Sequence, residues 1–156
     1  MNGEKGFTYP AALFLVTLIS ISLMTAQKQW TIIVKRDREK ELLFRAEQLI
    51  QAIGSYYQSS PGGSKQYPHA FKDLLKDNRV PGLKRHLRKL FKDPMTRNGQ
   101  WGIVYDGKGN IKGFFSLSQE EPLKKTGFPK AYKLFENKKK YSDWKFVVEP
   151  GKESSS

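Results

Sequence analysis

The clearest pattern along the chain is an uncharged run near its N-terminus, followed by a sequence crowded with charges. Residues 6–27 contain no Asp, Glu, Lys or Arg, and residues 9–26 are mostly apolar. A helix needs about 20 predominantly apolar residues to cross the hydrocarbon core of a bilayer. The pattern therefore predicts a transmembrane helix over residues 7–27. A cleaved secretory signal is the alternative, which the length of the run and the poor cleavage site at 25–27 disfavour.

Beyond residue 27, apolar residues recur at steps of three and four, the spacing of one helical face. No proline lies between Lys28 and Tyr57, and Gly54 is the only glycine in that stretch. We therefore expect the helix to continue over residues 28–58, giving one helix of about 50 residues. A membrane helix followed by a separate amphipathic helix is the alternative. The apolar face consists of Leu42, Ala46, Leu49, Ile50, Ile53 and Tyr57.

Residues 59–149 have the pattern of a small α+β head. A short helix is expected after Pro68, and another helical turn or two over residues 83–91. Alternating segments at 101–105 and 111–116 flank a glycine- and asparagine-containing loop and predict a β-hairpin, which a short strand at 144–148 would join. Residues 150–156 are predicted to be a disordered tail. The predicted fold class is α+β, with a long N-terminal helix, transmembrane in its first half, packed on a head with a short antiparallel sheet.

Composition limits the chemistry of the chain. Its 156 residues carry 28 Lys and Arg against 15 Asp and Glu, a net charge of +13 that suits anionic partners. There is no cysteine, which excludes disulfides, thiolate catalysis and cysteine metal sites. The two histidines, His69 and His86, lie in no recognisable triad or metal spacing. We predict no catalytic residue, no metal ligand and no cofactor, and hence a protein that is not an enzyme.

Basic residues are densest between positions 84 and 92. On the helix predicted there, they share one face, whereas Leu83, Leu87, Leu90 and Phe91 turn mostly inward. Such a face could bind the phosphates of nucleic acid or another polyanion. A solvated surface, or a face that meets an acidic neighbouring subunit, is the plainer interpretation. The residues of this face are Lys84, Arg85, Arg88, Lys89 and Lys92.

The order of these features resembles the type IV pilin and type II secretion pseudopilin superfamily. Gly6-Phe7-Thr8 follows a short polar leader and opens the uncharged run, as in prepilins. The resemblance implies that residues 1–6 are a leader, that a prepilin peptidase cuts between Gly6 and Phe7, and that Phe7 is N-methylated. Further segments are similar to one branch of pseudopilin-like proteins, namely 39–45, 52–57, 67–68, 86–96, the strand at Trp101 and 141–144.

One departure from the pilin pattern bears on the role of the subunit. Pilins that build long fibres usually carry a glutamate where this chain has Ala11. That difference favours a minor or accessory subunit of a type II secretion or type IV pilus assembly. The implied partners are other pilins or pseudopilins, inner-membrane assembly components, the prepilin peptidase and membrane lipid.

The resemblance implies a single-pass protein of the bacterial inner membrane with a periplasmic head. The charges beside the apolar run point the other way, because Lys5 stands on one side against Lys28, Lys35, Arg36 and Arg38 on the other. A periplasmic head is nevertheless expected, since the resemblance rests on several segments. The alternative function is a membrane-anchored module whose basic head binds DNA or another polyanion.

Overall fold

The computed structural model describes residues 8–149, and for residues 21–29 it describes the backbone alone. The first element is helix α1, Thr8–Gln58, with 51 residues. The sequence predicted a single helix of about 50 residues here. The chain divides into two compact units, Met1–Asp37 and Arg38–Ser156. The predicted leader, Phe7 and the predicted tail lie outside the described residues.

The first unit, as far as it is described, consists of the N-terminal part of α1. Two of its hydroxyl groups bond to the preceding turn, because Thr17 Oγ1 donates to the Phe14 carbonyl (2.7 Å) and Ser20 Oγ donates to the Val16 carbonyl (2.8 Å). The large apolar side chains of this segment are exposed. They are Leu13, Phe14, Leu15, Val16, Leu18 and Ile19.

Among the residues that the structure describes, no helix combines the length and the apolarity needed to span a bilayer. The prediction of a single-pass inner-membrane protein, with a transmembrane helix over residues 7–27 and a periplasmic head, is therefore wrong. Among the described side chains of α1, the hydroxyl groups of Thr17 and Ser20 interrupt the apolar residues, and charged residues begin at Lys35.

In the second unit, residues 38–58 of α1 bury one face in the core. Leu42, Ala46, Leu49 and Ile53 are fully buried, as the apolar spacing predicts. The remaining two predicted positions, Ile50 and Tyr57, are half-buried beside this face. The face is completed by Ala52 and Tyr56.

A three-stranded antiparallel sheet lies in the same unit, with strands β1 (Trp101–Tyr105), β2 (Ile111–Ser116) and β3 (Lys145–Val147) in the order β1-β2-β3. Trp101 pairs with Ser116 at one end of the β1–β2 hairpin, and a bulge interrupts the register between Val104 and Tyr105. Phe114 pairs with Phe146 across β2 and β3. The predicted hairpin and the third strand are confirmed, and the fold is α+β.

Short 3₁₀ helices complete the second unit at Pro61–Gly63, Phe71–Leu74, Lys130–Phe135 and Tyr141–Asp143. Aromatic side chains fill the core between them and the sheet. Trp144 is fully buried, stacks on Phe135 (ring centroids 5.6 Å apart) and meets Phe128 edge-on (5.3 Å). These residues belong to one core cluster with the buried face of α1.

The helix predicted over residues 83–91 is absent, and that prediction is wrong. The segment is irregular, and of its four leucine and phenylalanine side chains only Leu87 is buried. Its backbone bonds to distant groups instead of to its own turns. The amides of His86 and Leu87 both donate to the Leu74 carbonyl (2.9 Å each), and Lys84 accepts a bond from the Asp77 amide. These long-range bonds prevail over the helical spacing of the leucines.

Candidate functional site

Asp77 is the centre of a buried polar network in the second unit. It lies in the turn after the 3₁₀ helix Phe71–Leu74, and its side chain is fully buried. Arg79 binds both of its oxygens, with Nε donating to Oδ1 (3.0 Å) and Nη2 donating to Oδ2 (2.9 Å). These hydrogen bonds from Arg79 hold the pKa of the Asp77 carboxyl well below its usual value.

Arg79 also connects this turn to the end of α1. Its guanidinium lies 3.4 Å from the centroid of the Tyr56 ring, and Nη2 donates to the Tyr56 carbonyl (2.8 Å). Nη1 donates to Ser60 Oγ (2.9 Å) just past the helix. A planar guanidinium with five donors can satisfy all of these partners at once. The turn at residues 77–79 is therefore fixed against α1.

The network continues through His86 to Ser55, an arrangement that the sequence did not predict. His86 Nε2 lies 3.2 Å from Asp77 Oδ2, and Nδ1 lies 2.8 Å from Ser55 Oγ. A carboxylate only accepts hydrogen bonds, so Nε2 donates to Asp77, and in the neutral imidazole Nδ1 accepts from the Ser55 hydroxyl. The three residues are distant in sequence and share no motif spacing, which is why pattern analysis missed them.

A serine, an imidazole and a carboxylate in this order form the arrangement that activates a nucleophile. Two features indicate that the arrangement of Ser55, His86 and Asp77 has a structural role. Both carboxylate oxygens of Asp77 are engaged by Arg79. Ser55 lies inside α1, so its amide belongs to the helix and does not supply an oxyanion site. The network fixes residues 77–86 to the helix.

The predicted basic residues lie on one irregular segment, residues 84–92, which we call the basic loop. Its backbone is attached to the head at several points. Besides the bonds to Asp77 and Leu74, the Phe91 carbonyl accepts from Trp101 Nε1 (2.8 Å), and the Lys92 carbonyl accepts from Arg45 Nη1 (2.7 Å). The first part of the loop is therefore held by the turn that precedes it, and its end is held by β1 and α1.

The basic side chains of this loop are exposed, whereas His86 and Leu87 face the head. All five predicted basic residues are exposed, so the structure brings Lys84, Arg85, Arg88, Lys89 and Lys92 onto one loop and not onto a helical face. Lys84 Nζ donates to Ser59 Oγ (2.8 Å), and Lys89 Nζ lies 5.7 Å from the centroid of the Phe91 ring. The loop contains no acidic residue. Asp93, which follows it, is buried and accepts bonds from Ser116 Oγ and the Met95 amide.

Glu39 of α1 forms a second buried polar centre in the head. Its carboxylate accepts hydrogen bonds from the amides of Leu123 and Lys124 (2.8 and 3.0 Å) and from the hydroxyl of Tyr141 (2.7 Å). Burial first, and then the bond to Glu39, raises the pKa of the Tyr141 hydroxyl. Glu39 thus connects α1 to the segment at residues 123–124 and to the 3₁₀ helix Tyr141–Asp143, both more than 80 positions away in sequence.

The two residues predicted for processing, Gly6 and Phe7, lie outside the described residues. Within residues 8–149 no group of three or more His, Asp or Glu side chains is placed to hold a metal ion. No protein-family model, curated protein or solved structure matches the chain.

Proposed function

We propose that this protein is an accessory pilin-like subunit that assembles with other pilin or pseudopilin chains of a type II secretion or type IV pilus machine. The contact would be made by the N-terminal part of α1. The observation that carries this proposal is the apolar surface of residues 13–19, which is exposed although α1 is one continuous helix that also supplies a face of the head's core.

The apolar surface extends around the whole helix. Successive residues of an α-helix are about 100° apart, so the four consecutive residues 13–16 point in all directions. All four are exposed leucine, phenylalanine or valine side chains. A helix that is apolar on all sides is normally buried on all sides. Several neighbouring helices, as in a bundle of subunits, would cover this segment better than a single partner would.

The polar groups of the segment are compatible with such a bundle. Thr17 and Ser20 donate their hydroxyls to carbonyls of their own helix, so burial against apolar neighbours leaves neither donor without a partner. The α+β head, with α1 along its core and an antiparallel sheet, agrees with the architecture that the pilin resemblance implies. The replacement of the usual glutamate by Ala11 supports an accessory role.

The mature N-terminus provides the first test. The full chain is produced in a bacterium that has an active prepilin peptidase, and its intact mass and N-terminal peptide are measured. We expect loss of residues 1–6 and a methyl group on Phe7. Production in a matched strain without the peptidase should leave Met1 to Gly6 in place.

A matched pair of glycine variants controls for nonspecific effects on the leader. Gly6→Trp should block the cut, because the residue beside the scissile bond must be small, whereas Gly3→Trp in the same leader should leave it unchanged. An intact leader in the wild-type chain in the presence of the peptidase, or a cut near Ala26, would exclude the pilin-like proposal.

A further inference from the structure

The basic loop is the most strongly charged surface segment of the head, and pilin-like assembly does not require it. Five of its nine residues are Lys or Arg, and each of the five is exposed. Nearby carboxylates do not neutralise it. Asp77 is engaged by Arg79, Asp93 is buried and hydrogen-bonded, and Glu41 pairs with Arg45.

We propose that the basic loop is a binding site for the sugar–phosphate backbone of nucleic acid. A linear polyanion with one phosphate per nucleotide can place several phosphates against cations that follow one another along a single segment. The side chains at hand are lysines and arginines, which bind phosphates whatever the base sequence. The expected binding is therefore independent of sequence and strongly dependent on salt.

The attachment of the loop's backbone should strengthen phosphate binding beyond what the net charge alone provides. The side chains of Trp101 and Arg45 donate hydrogen bonds to main-chain carbonyls of the loop, and the backbones of Leu74 and Asp77 bond to its backbone, so its main chain is anchored before any ligand arrives. The entropy cost of binding is then small, because only side-chain rotamers remain to be ordered. Exposed Leu83 and Leu90 lie among the cations and provide apolar contact for sugar rings.

The test measures binding of the full-length protein to a fluorescently labelled duplex of random sequence by anisotropy, in a non-ionic detergent that covers the apolar part of α1. We expect saturable binding at about 50 mM salt, with a log–log salt slope of up to about −4 to −5 if all five cations engage phosphates. The variant K84Q/R85Q/R88Q/K89Q/K92Q should bind more than about tenfold more weakly and lose most of that slope.

The chain offers a control with the same change in charge. Lys130, Lys133, Lys138, Lys139 and Lys140 are also exposed and also five in number. Replacing these five by glutamine should weaken binding less than about threefold, because it lowers the net charge of the protein and leaves every cation of the basic loop in place. Equal losses in the two variants would show that binding follows net charge and would overturn the assignment of a site.

Two further arms make the outcome decisive. The smaller variant R85Q/R88Q/K89Q keeps Lys84 bonded to Ser59. A loss of duplex binding in this variant, with an unchanged unfolding transition, cannot come from loss of fold.

Vesicles of anionic phospholipid are offered in parallel. Binding to vesicles that depends on the loop, with no binding to the duplex, would assign the surface to lipid and overturn this proposal. Absence of duplex binding at low salt would overturn it as well.

Discussion

Asp77 is the residue whose loss should affect the head most. Its carboxylate is fully buried and is shared by the guanidinium of Arg79 and the imidazole of His86. Removing one partner of a buried charged network leaves the others without compensation, which costs far more than removing an exposed charge. The stability of this part of the head, and the position of the basic loop that begins at Lys84, therefore depend on one side chain.

We expect Asp77→Asn to lower the free energy of unfolding by about 3 kcal/mol, because the half-buried guanidinium of Arg79 is left opposite a buried neutral amide. Asp143→Asn makes the same chemical change at an exposed position and should cost less than about 0.5 kcal/mol. Urea unfolding followed by circular dichroism measures both. Equal stabilities of the two variants would show that the Asp77 network contributes nothing.

The same residue should give the wild-type protein an acid-sensitive stability. The pKa of Asp77 in the folded chain lies well below 3.8, its ordinary value, because Arg79 hydrogen-bonds to the carboxylate. Folding therefore favours the ionised form, and the resulting stability is fully present above pH 3.8 and is lost as the pH falls below it. The decrease in unfolding free energy between about pH 5 and 3 should be smaller in Asp77→Asn than in the wild type.

At the scale of elements, the sheet depends on a strand position without a side chain. Gly113 lies in β2 opposite Val147 of β3. A methyl group there would overlap the carbonyl oxygen of Phe146 and lie 2.9 Å from Val147 Cα. Because backbone atoms cannot move aside as a flexible side chain can, β3 can pair closely with β2 only if residue 113 is glycine.

Gly113→Ala should therefore separate β3 from β2 and lower the free energy of unfolding by more than about 2 kcal/mol. Gly107→Ala is the matched control, since a methyl group in that hairpin loop meets nothing within 4 Å. Thermal unfolding, together with hydrogen exchange of the β3 amides, measures both effects. Wild-type protection of β3 in Gly113→Ala would contradict this account of the pairing.

The elements that the sequence predicted are those with a local signal. The face of α1 at Leu42 to Ile53 follows from apolar spacing alone, and the β1–β2 hairpin follows from alternation around a loop that contains glycine and asparagine. The segment at 83–91 has a helical spacing of leucines, yet it is irregular because its amides bond to Leu74. Local sequence patterns cannot predict that a carbonyl nine or more positions away will accept these hydrogen bonds.

The candidate site was predicted only in part, for the same reason. The five basic residues are clustered in sequence, so their proximity was predictable although their helix was not. The contacts of Ser55 with His86 and of Glu39 with Tyr141 join residues 31 and 102 positions apart. Such pairs are determined by packing in three dimensions, and a single sequence contains no periodicity that reveals them.

At the scale of the whole molecule, the proposed assembly predicts where a thiol reagent can reach the protein. The chain has no native cysteine, so a single introduced cysteine reports on one position. In the isolated chain, Leu15 and Leu134 are both exposed. In cells that contain the pilin-like partners, Leu15→Cys should be protected from a maleimide reagent, whereas Leu134→Cys on the head should remain reactive.

The decisive control is to repeat the labelling in a strain that lacks those partners. Removing them should restore labelling of Leu15→Cys several-fold and leave Leu134→Cys unchanged. Protection of Leu15→Cys that persists without any pilin-like protein would mean that something other than such subunits covers this segment, and the assembly proposal would then be wrong.

The way in which the basic loop is attached also affects how its surface can change over evolutionary time. Main-chain carbonyls and amides hold most of its attachments, and these atoms are present whatever residue occupies the position. Substitutions among the five exposed positions can therefore alter charge and ligand preference with little penalty in folding. The loop can diverge in binding while the head keeps its fold, and it is the natural place to introduce a new specificity by design.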